Sequence, residues 1–198
     1  MGLGGIGFPT PEDATPLDDD EAQDLIPTHI ATVSQFNEWE QANILQAEGW
    51  LFARRRSQIL TESFVRGLHR RMFNKTWKWA GKYRQTEKNI GVTPSQIPSK
   101  VRDTCDDVAY WLEKRVFPLE QAAIRLHHRL VAVHPFPNGN GRLTRLMADA
   151  LLHYNGLSRF TWGTENLQLP GHARSRYLRA LRQADEGDYS PLLAFAKS

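Results

Sequence analysis

Apolar residues recur at three- and four-residue steps along most of this chain, and that period commits it to helices. Phe36, Trp39, Asn43, Ala47 and Trp50 share one stripe, with Thr32 or Ser34 placed to cap it. Phe64, Val65, Leu68 and Met72 form a second, and Val101, Cys105, Val108, Leu112 and Val116 a third. After Pro118, a fourth runs through Ala122, Leu126, Leu130 and Val133. A fifth helix must start near Gly141, carry Leu143, Leu146, Met147, Ala150 and Leu151, and stop at Asn155-Gly156 as a C-terminal cap requires. Two shorter helices close the chain. One runs from about His172 to Gly187, and the other opens on Ser190 as cap with Pro191 at its first position.

The period breaks between Lys82 and Pro98. Tyr83-Arg84-Gln85-Thr86 and Asn89-Ile90-Gly91-Val92-Thr93 are short, β-prone and punctuated by Gly and Pro, which reads as a small hairpin. Residues 1–27 read as an irregular N-terminal arm, because Pro9, Pro11, Pro16 and Pro27 surround the acidic run Asp18-Asp19-Asp20-Glu21 and little there is apolar. Residues 28–58 form an N-terminal helical segment with a regulatory candidate, and 59–198 form the main domain. The fold class is mainly α with a small β-hairpin flap.

Composition narrows the setting. The 198 residues include 25 Lys+Arg against 22 Asp+Glu, a net +3 that permits an anionic partner without demanding nucleic acid. The single cysteine, Cys105, excludes an intrachain disulfide, and it sits at an apolar helix position where packing explains it. No apolar run approaches the ~20 residues that span a bilayer, and the N-terminus lacks the pattern of a secretory leader. A cytoplasmic protein is the expectation.

The chemistry concentrates in residues 134–145, His-Pro-Phe-Pro-Asn-Gly-Asn-Gly-Arg-Leu-Thr-Arg. Glycines flanking Asn140 allow left-handed backbone with N–H groups turned inward, a nest for an anion. The helix that follows adds its unpaired N–H groups and the positive end of its dipole. Arg142 and Arg145, three residues apart, fall on one face of its first turn and suit a polyphosphate. His134 closes the preceding helix, where an imidazole can act as a general base beside a bound phosphate.

Other signals have structural explanations. Ten basic residues between Arg54 and Arg84 read as the solvated faces of two helices, and no helix-turn-helix reader accompanies them, so nucleic acid is not an expected partner. His127-His128 point to different sides of a helix and lack zinc spacing. Trp77 and Trp79 read as core.

The stretch 134–145 resembles the signature of the Fic family, His-Pro-Phe-x-(Asp/Glu)-Gly-Asn-Gly-Arg-x-x-Arg, at every fixed position except one. Leu68-His69-Arg70-Arg71-Met72-Phe73 and Trp79-Ala80-Gly81-Lys82-Tyr83-Arg84 resemble the family's early core helix and the segment leading to its flap, so the likeness covers about residues 60–185. The arrangement is also similar to the compact bacterial subgroup called mobile mystery protein B. The resemblance implies a Fic domain at 59–198 and a protein adenylyltransferase moving AMP from ATP to a Tyr, Thr or Ser hydroxyl. It implies His134 as base, with Gly139, Asn140, Gly141, Arg142 and Arg145 holding the nucleotide and Phe136 anchoring the loop. It also implies Mg²⁺ or Mn²⁺ on the phosphates and a target protein docked on the flap at about 86–98.

The exception is Asn138, which stands where the family places the metal-holding carboxylate; a neutral amide is a weaker ligand for a hard cation. Alternatives therefore stay open: a catalytically weak module that binds nucleotide or a partner, transfer of another phosphate-containing group, or removal of AMP. Many members also carry a brake, a glutamate that pairs with the second motif arginine. The candidates here are Glu48 in Glu48-Gly49, Glu165 in Thr161-Trp-Gly-Thr-Glu165-Asn166, and a separate antitoxin-like partner.

Overall fold

The computed structural model describes residues 18–164, 167 and 171–198. The described residues form eight α-helices: α1 (Asp19–Gln23), α2 (Val33–Phe52), α3 (Glu62–Phe73), α4 (Ile97–Lys114), α5 (Leu119–Val133), α6 (Asn140–Tyr154), α7 (His172–Asp185) and α8 (Ser190–Ala196). The helical stripes read from the sequence therefore each became a helix. Thr32 caps α2 as expected: its hydroxyl accepts from Gln35 N–H, and the Gln35 side chain reaches back to the Thr32 N–H. At α8 the cap is Tyr189, and Ser190 is already helical.

α5 and α6 pack at the centre, with α4 on α5, α2 and α3 against α6, and α7 with α8 closing the far side. Leu126, Leu130, Leu143, Met147 and Phe136 are fully buried between them. Burying side chains of this size contributes roughly 1.5–3 kcal/mol each before entropy is charged against it, so this central pair sets where the turn joining α5 to α6 must lie. That turn is residues 134–139.

On α2 the buried stripe is Phe36, Glu40, Asn43, Ile44, Ala47 and Leu51. Trp39, expected inside, is 37% exposed. Its indole N–H is satisfied by the Lys75 carbonyl at 3.0 Å, so the ring lies along the surface while Glu40 takes the inward position.

Part of the segment expected to be an irregular arm is helical: residues 19–23 form α1, opened by a capping box between Asp18 and Glu21. The chain then pairs with the segment after α3, through Lys78 N–H to Asp24 O at 3.0 Å, Ile26 N–H to Thr76 O at 2.9 Å, and an isolated bridge between Leu25 and Trp77. Residues 1–17, including Pro9, Pro11 and Pro16, lie outside the described residues. The hairpin expected between Lys82 and Pro98 is also absent among the described residues. An irregular loop takes its place, ending in a short 3₁₀ turn at Pro94–Gln96. Its polar backbone groups are met by the Arg84 side chain and by the α5–α6 turn, so no strand ladder is required.

Of the ten basic residues from Arg54 to Arg84, eight are exposed and Arg56 is half-buried, as solvated faces require. Arg84 is the exception, at 1% exposure. Cys105, Trp77 and Trp79 are buried, as expected. His127 meets the Tyr177 hydroxyl at 3.0 Å, and His128 bridges Asp185 and Tyr189, so both histidines serve packing.

Candidate active site

α5 ends at His134, whose φ of 51° and ψ of 61° place a non-glycine residue in the left-handed region. Its N–H still closes the helix onto Leu130 and Val131 at 3.2 and 3.1 Å. The chain then turns through Pro135, Phe136, Pro137 and Asn138 to Gly139, the N-cap of α6, with φ of 80°. Glycine is required there: a Cβ would stand 2.5 Å from the Phe73 ring. Of the two glycines, only Gly139 takes the left-handed conformation. Gly141 lies within α6.

The turn is held from within and from below. The Asn140 amide grips Phe136 twice, accepting from its N–H at 2.9 Å and donating to its carbonyl at 2.8 Å. Through its side chain, Asn140 is thus a clamp on the loop. Phe136, fully buried, stacks on His69 with centroids 3.8 Å apart and planes 10° apart. His69 Nδ1 accepts from Gly81 N–H at 2.9 Å, so the ring proton sits on Nε2 and is donated to the Asn138 carbonyl at 3.0 Å. Burial holds the His69 pKa down to about 3, and the ring stays neutral. His69 is a site-building residue whose role no sequence signal marked, since its partners Gly81 and Asn138 lie 12 and 69 positions away.

The two arginines do not share a face as their spacing suggested. Arg142 turns toward α2 and α3, over the Phe73 ring, and forms an ion pair with the buried carboxylate of Glu40. Glu40 also accepts from the Trp77 indole N–H at 3.2 Å. Arg145 turns toward α7 and lies over the Tyr177 ring at 5.7 Å. Among the described residues no carboxylate pairs with Arg145. Burial depresses its pKa, partly offset by the Tyr177 hydroxyl beside it.

Glu48 is corrected as a brake on Arg145: it pairs with Arg159 at 2.6 Å. Two further turns of α2 carry Glu48 away from the α6 N-terminus, whereas Glu40 reaches it. Glu165 lies outside the described residues. Glu40 was missed, although an acid within an otherwise apolar helical stripe signals a buried partner.

Asn138 is half-buried, and its side-chain oxygen accepts from its neighbour Gly139 N–H and from Arg142 at 3.0 Å. That oxygen is neutral and already engaged. No group of three or more His, Cys, Asp or Glu capable of holding a metal occurs among the described residues. The protein side chains here do not fit a resident divalent ion.

His134 is 7% exposed, and neither ring nitrogen has a hydrogen-bond partner among the described residues. Burial, with Arg84 and Lys88 nearby, holds its pKa down to about 4. The loop after Arg84 covers it: a Cβ on Gly91 would fall 2.7 Å from His134 Cβ. The cover is fastened by Lys88, 2% exposed, which pairs with Asp18 at 2.9 Å and Glu21 at 2.6 Å, while Thr86 donates to Asp18 at 2.8 Å.

The fold and site together define a helical domain built around a glycine-opened helix N-terminus, with a neutral histidine on one side and two divergent arginines on the other. Residues 59–152 match the Fic/DOC family. The chain is 32% identical over 133 residues to the protein adenylyltransferase fic-1 of Caenorhabditis elegans, covering 65% of this chain and 25% of that protein. It is 28% identical over 145 residues to the protein adenylyltransferase Fic of Nematostella vectensis, covering 71% of this chain and 32% of that one. The match thus spans about a quarter to a third of these relatives. Among solved structures, C. elegans Fic-1 (residues 134 to 508) superposes with a TM-score of 0.66 at 22% identity, over 87% of this chain and 50% of that one. The ADP-bound N-terminal Fic domain of a Bartonella quintana cell filamentation protein gives 0.65 at 16% identity, over 86% of each. The likeness to these structures carries the fold.

Proposed function

We propose that this chain is a protein adenylyltransferase, moving AMP from ATP to a Tyr, Thr or Ser hydroxyl of a target protein. The observation that carries this reading is the pairing, across one six-residue turn, of a neutral buried base with a helix N-terminus opened by Gly139. His134 accepts the hydroxyl proton at a ring nitrogen. The freed oxygen attacks the α-phosphorus, the bond from that phosphorus to the oxygen bridging to the β-phosphate breaks, and pyrophosphate leaves. Backbone N–H groups from Gly139 onward, with Gly141 leaving room for close approach, receive the phosphates. Arg145 faces the charge that develops on the leaving group, and Arg142 joins it by exchanging Glu40 for phosphate oxygens.

A divalent ion, Mg²⁺ or Mn²⁺, enters this reading as the counter-ion of the nucleotide, since Asn138 offers no carboxylate for it. The target docks along the loop at 86–98, whose residues 87–91 must lift between their anchors at Thr86 and Val92 before a hydroxyl reaches His134. Restraint comes from Glu40 on Arg142; an antitoxin-like partner acting on Arg145 is the alternative source. No described helix is long and apolar enough to cross a membrane, and a cytoplasmic setting, where ATP is present, suits the reaction.

Asn138 favours one second reading, a domain that binds nucleotide and turns over slowly or not at all. ATP labelled at the α- or γ-phosphate separates them. Transfer of the α-label alone to protein, abolished by His134→Ala, is the expected result. Binding without any label points to the module, and label from γ contradicts AMP transfer.

A further inference from the structure

Arg84 is buried, and among the described residues no carboxylate pairs with it, an arrangement that a guanidinium tolerates only when its donors are otherwise met. All its partners are carbonyls. Nε donates to His134 O at 2.7 Å, one terminal nitrogen donates to Thr86 O at 2.8 Å, and the other donates to Val92 O. The Arg84 backbone N–H takes the next carbonyl, Pro135 O, at 3.0 Å. One residue thus holds two consecutive carbonyls of the turn that carries the base, and both ends of the loop that covers it.

We propose that Arg84 is the positioning residue of the base: it holds His134 in its left-handed conformation and docks the covering loop against it, so that the imidazole meets the target hydroxyl in one fixed orientation. The inference rests on the adenylyltransferase reading and extends it to a residue outside the 134–145 signature. A left-handed conformation is unfavourable for a residue with a Cβ. Nothing in the histidine side chain offsets that, since neither ring nitrogen is bonded. The offset comes from the backbone: the His134 N–H closes α5, and its carbonyl accepts from Arg84. Only a planar fork with several fixed donors can reach three segments at once; a lysine ammonium is a single point. The guanidinium also supplies one of two positive charges near the ring. The other, Lys88, is engaged by Asp18 and Glu21.

The test compares Arg84→Met and Arg84→Lys with the unaltered full chain. Three readouts are taken: affinity for a non-hydrolysable ATP analogue, the kcat and KM for ATP in α-label transfer, and the ring resonances of His134 through a pH titration. Both variants are expected to bind the analogue within a factor of about two, because Gly139–Arg145 keeps its own clamps at Asn140 and His69. Both are expected to lose about a hundredfold in kcat with KM for ATP little changed, the scale of a misplaced reacting group. In Arg84→Met the His134 resonances shift and its pKa rises in part, since burial still holds it low once one nearby charge is gone, whereas Arg84→Lys keeps that charge and still loses kcat. Unchanged kcat, a loss confined to KM, or unmoved His134 resonances would overturn the proposal. If the unaltered chain transfers no label, the adenylyl reading fails, and the His134 resonances still decide the role of Arg84. A variant that lost the fold would lose analogue binding too, and Arg84→Lys then decides alone.

Discussion

Glu40 of α2 holds Arg142 of α6 in a buried ion pair, while Arg145, one turn further along, has no carboxylate partner among the described residues. The cradle therefore presents one arginine ready for phosphate and one already neutralised. An incoming triphosphate has to displace Glu40 or bind with Arg145 and the backbone alone.

Replacing Glu40 by Gln removes the competing charge. Affinity for ATP is expected to rise about tenfold, the worth of one charge-assisted hydrogen bond regained by the ligand. A lower Tm is expected as well, because the half-buried Arg142 loses its ion pair with Glu40. Calorimetric titration and thermal melts, with and without ATP, check both directions. Glu48→Gln, which breaks only the contact with Arg159, is expected to leave ATP affinity unchanged.

Gly139→Ala tests the cradle's backbone. The substitution puts a methyl group 2.5 Å from the Phe73 ring at a φ of 80°. Strain of about 1–2 kcal/mol from the left-handed conformation adds to about 1–3 kcal/mol of overpacking. Melting and ATP binding are expected to fall together, whereas Gly156→Ala, where no atom lies within 4 Å of the new methyl, shows only the left-handed strain.

Acid should unfold the domain early. The pKa values of His69 and His134 fall to about 3 and about 4 on folding, and that of His127 lies well below the ordinary value, all three chiefly through burial. The unfolded chain binds protons at these sites below about pH 6.5 while the folded one does not. Stability is therefore complete above that pH and declines as pH falls, by about 1.4 kcal/mol per unit for each histidine, until the folded pKa is reached. Asp149 runs the other way: burial raises its pKa to about 6, so it favours the fold as pH falls from there toward 4. The net expectation is a Tm that drops steadily from pH 7 to pH 4. A flat profile would contradict neutral buried imidazoles.

The cover over His134 should open when its fastening is cut. Lys88→Met removes the pairs with Asp18 and Glu21. Faster amide exchange at residues 85–92 is expected, along with faster acylation of His134 by an imidazole-selective reagent. Exchange in α5 and α6, away from that contact, is expected to stay as it was.

The helices were legible because each buries one stripe, and the cradle was legible because a glycine nest, a helix start and two arginines sit within seven residues. What the sequence hid is what lies far apart in it. Glu40 is 102 positions from Arg142, and His69 is 69 positions from Asn138. Arg84 looked like one more surface cation in a basic stretch. The expected hairpin failed for a related reason: β-prone letters describe a backbone that wants partners, and here the α5–α6 turn and one guanidinium supply them. Spacing misled at Arg142 and Arg145, whose side chains are drawn apart by Glu40 and Tyr177.

The most direct test is the intact mass of the chain after incubation with ATP and Mg²⁺, measured for the Glu40→Gln variant and for the same variant carrying His134→Ala. The account predicts a gain of one or more AMP units on hydroxyl side chains in the first and none in the second. No gain in the first, with ATP bound, or an equal gain in both, would contradict it.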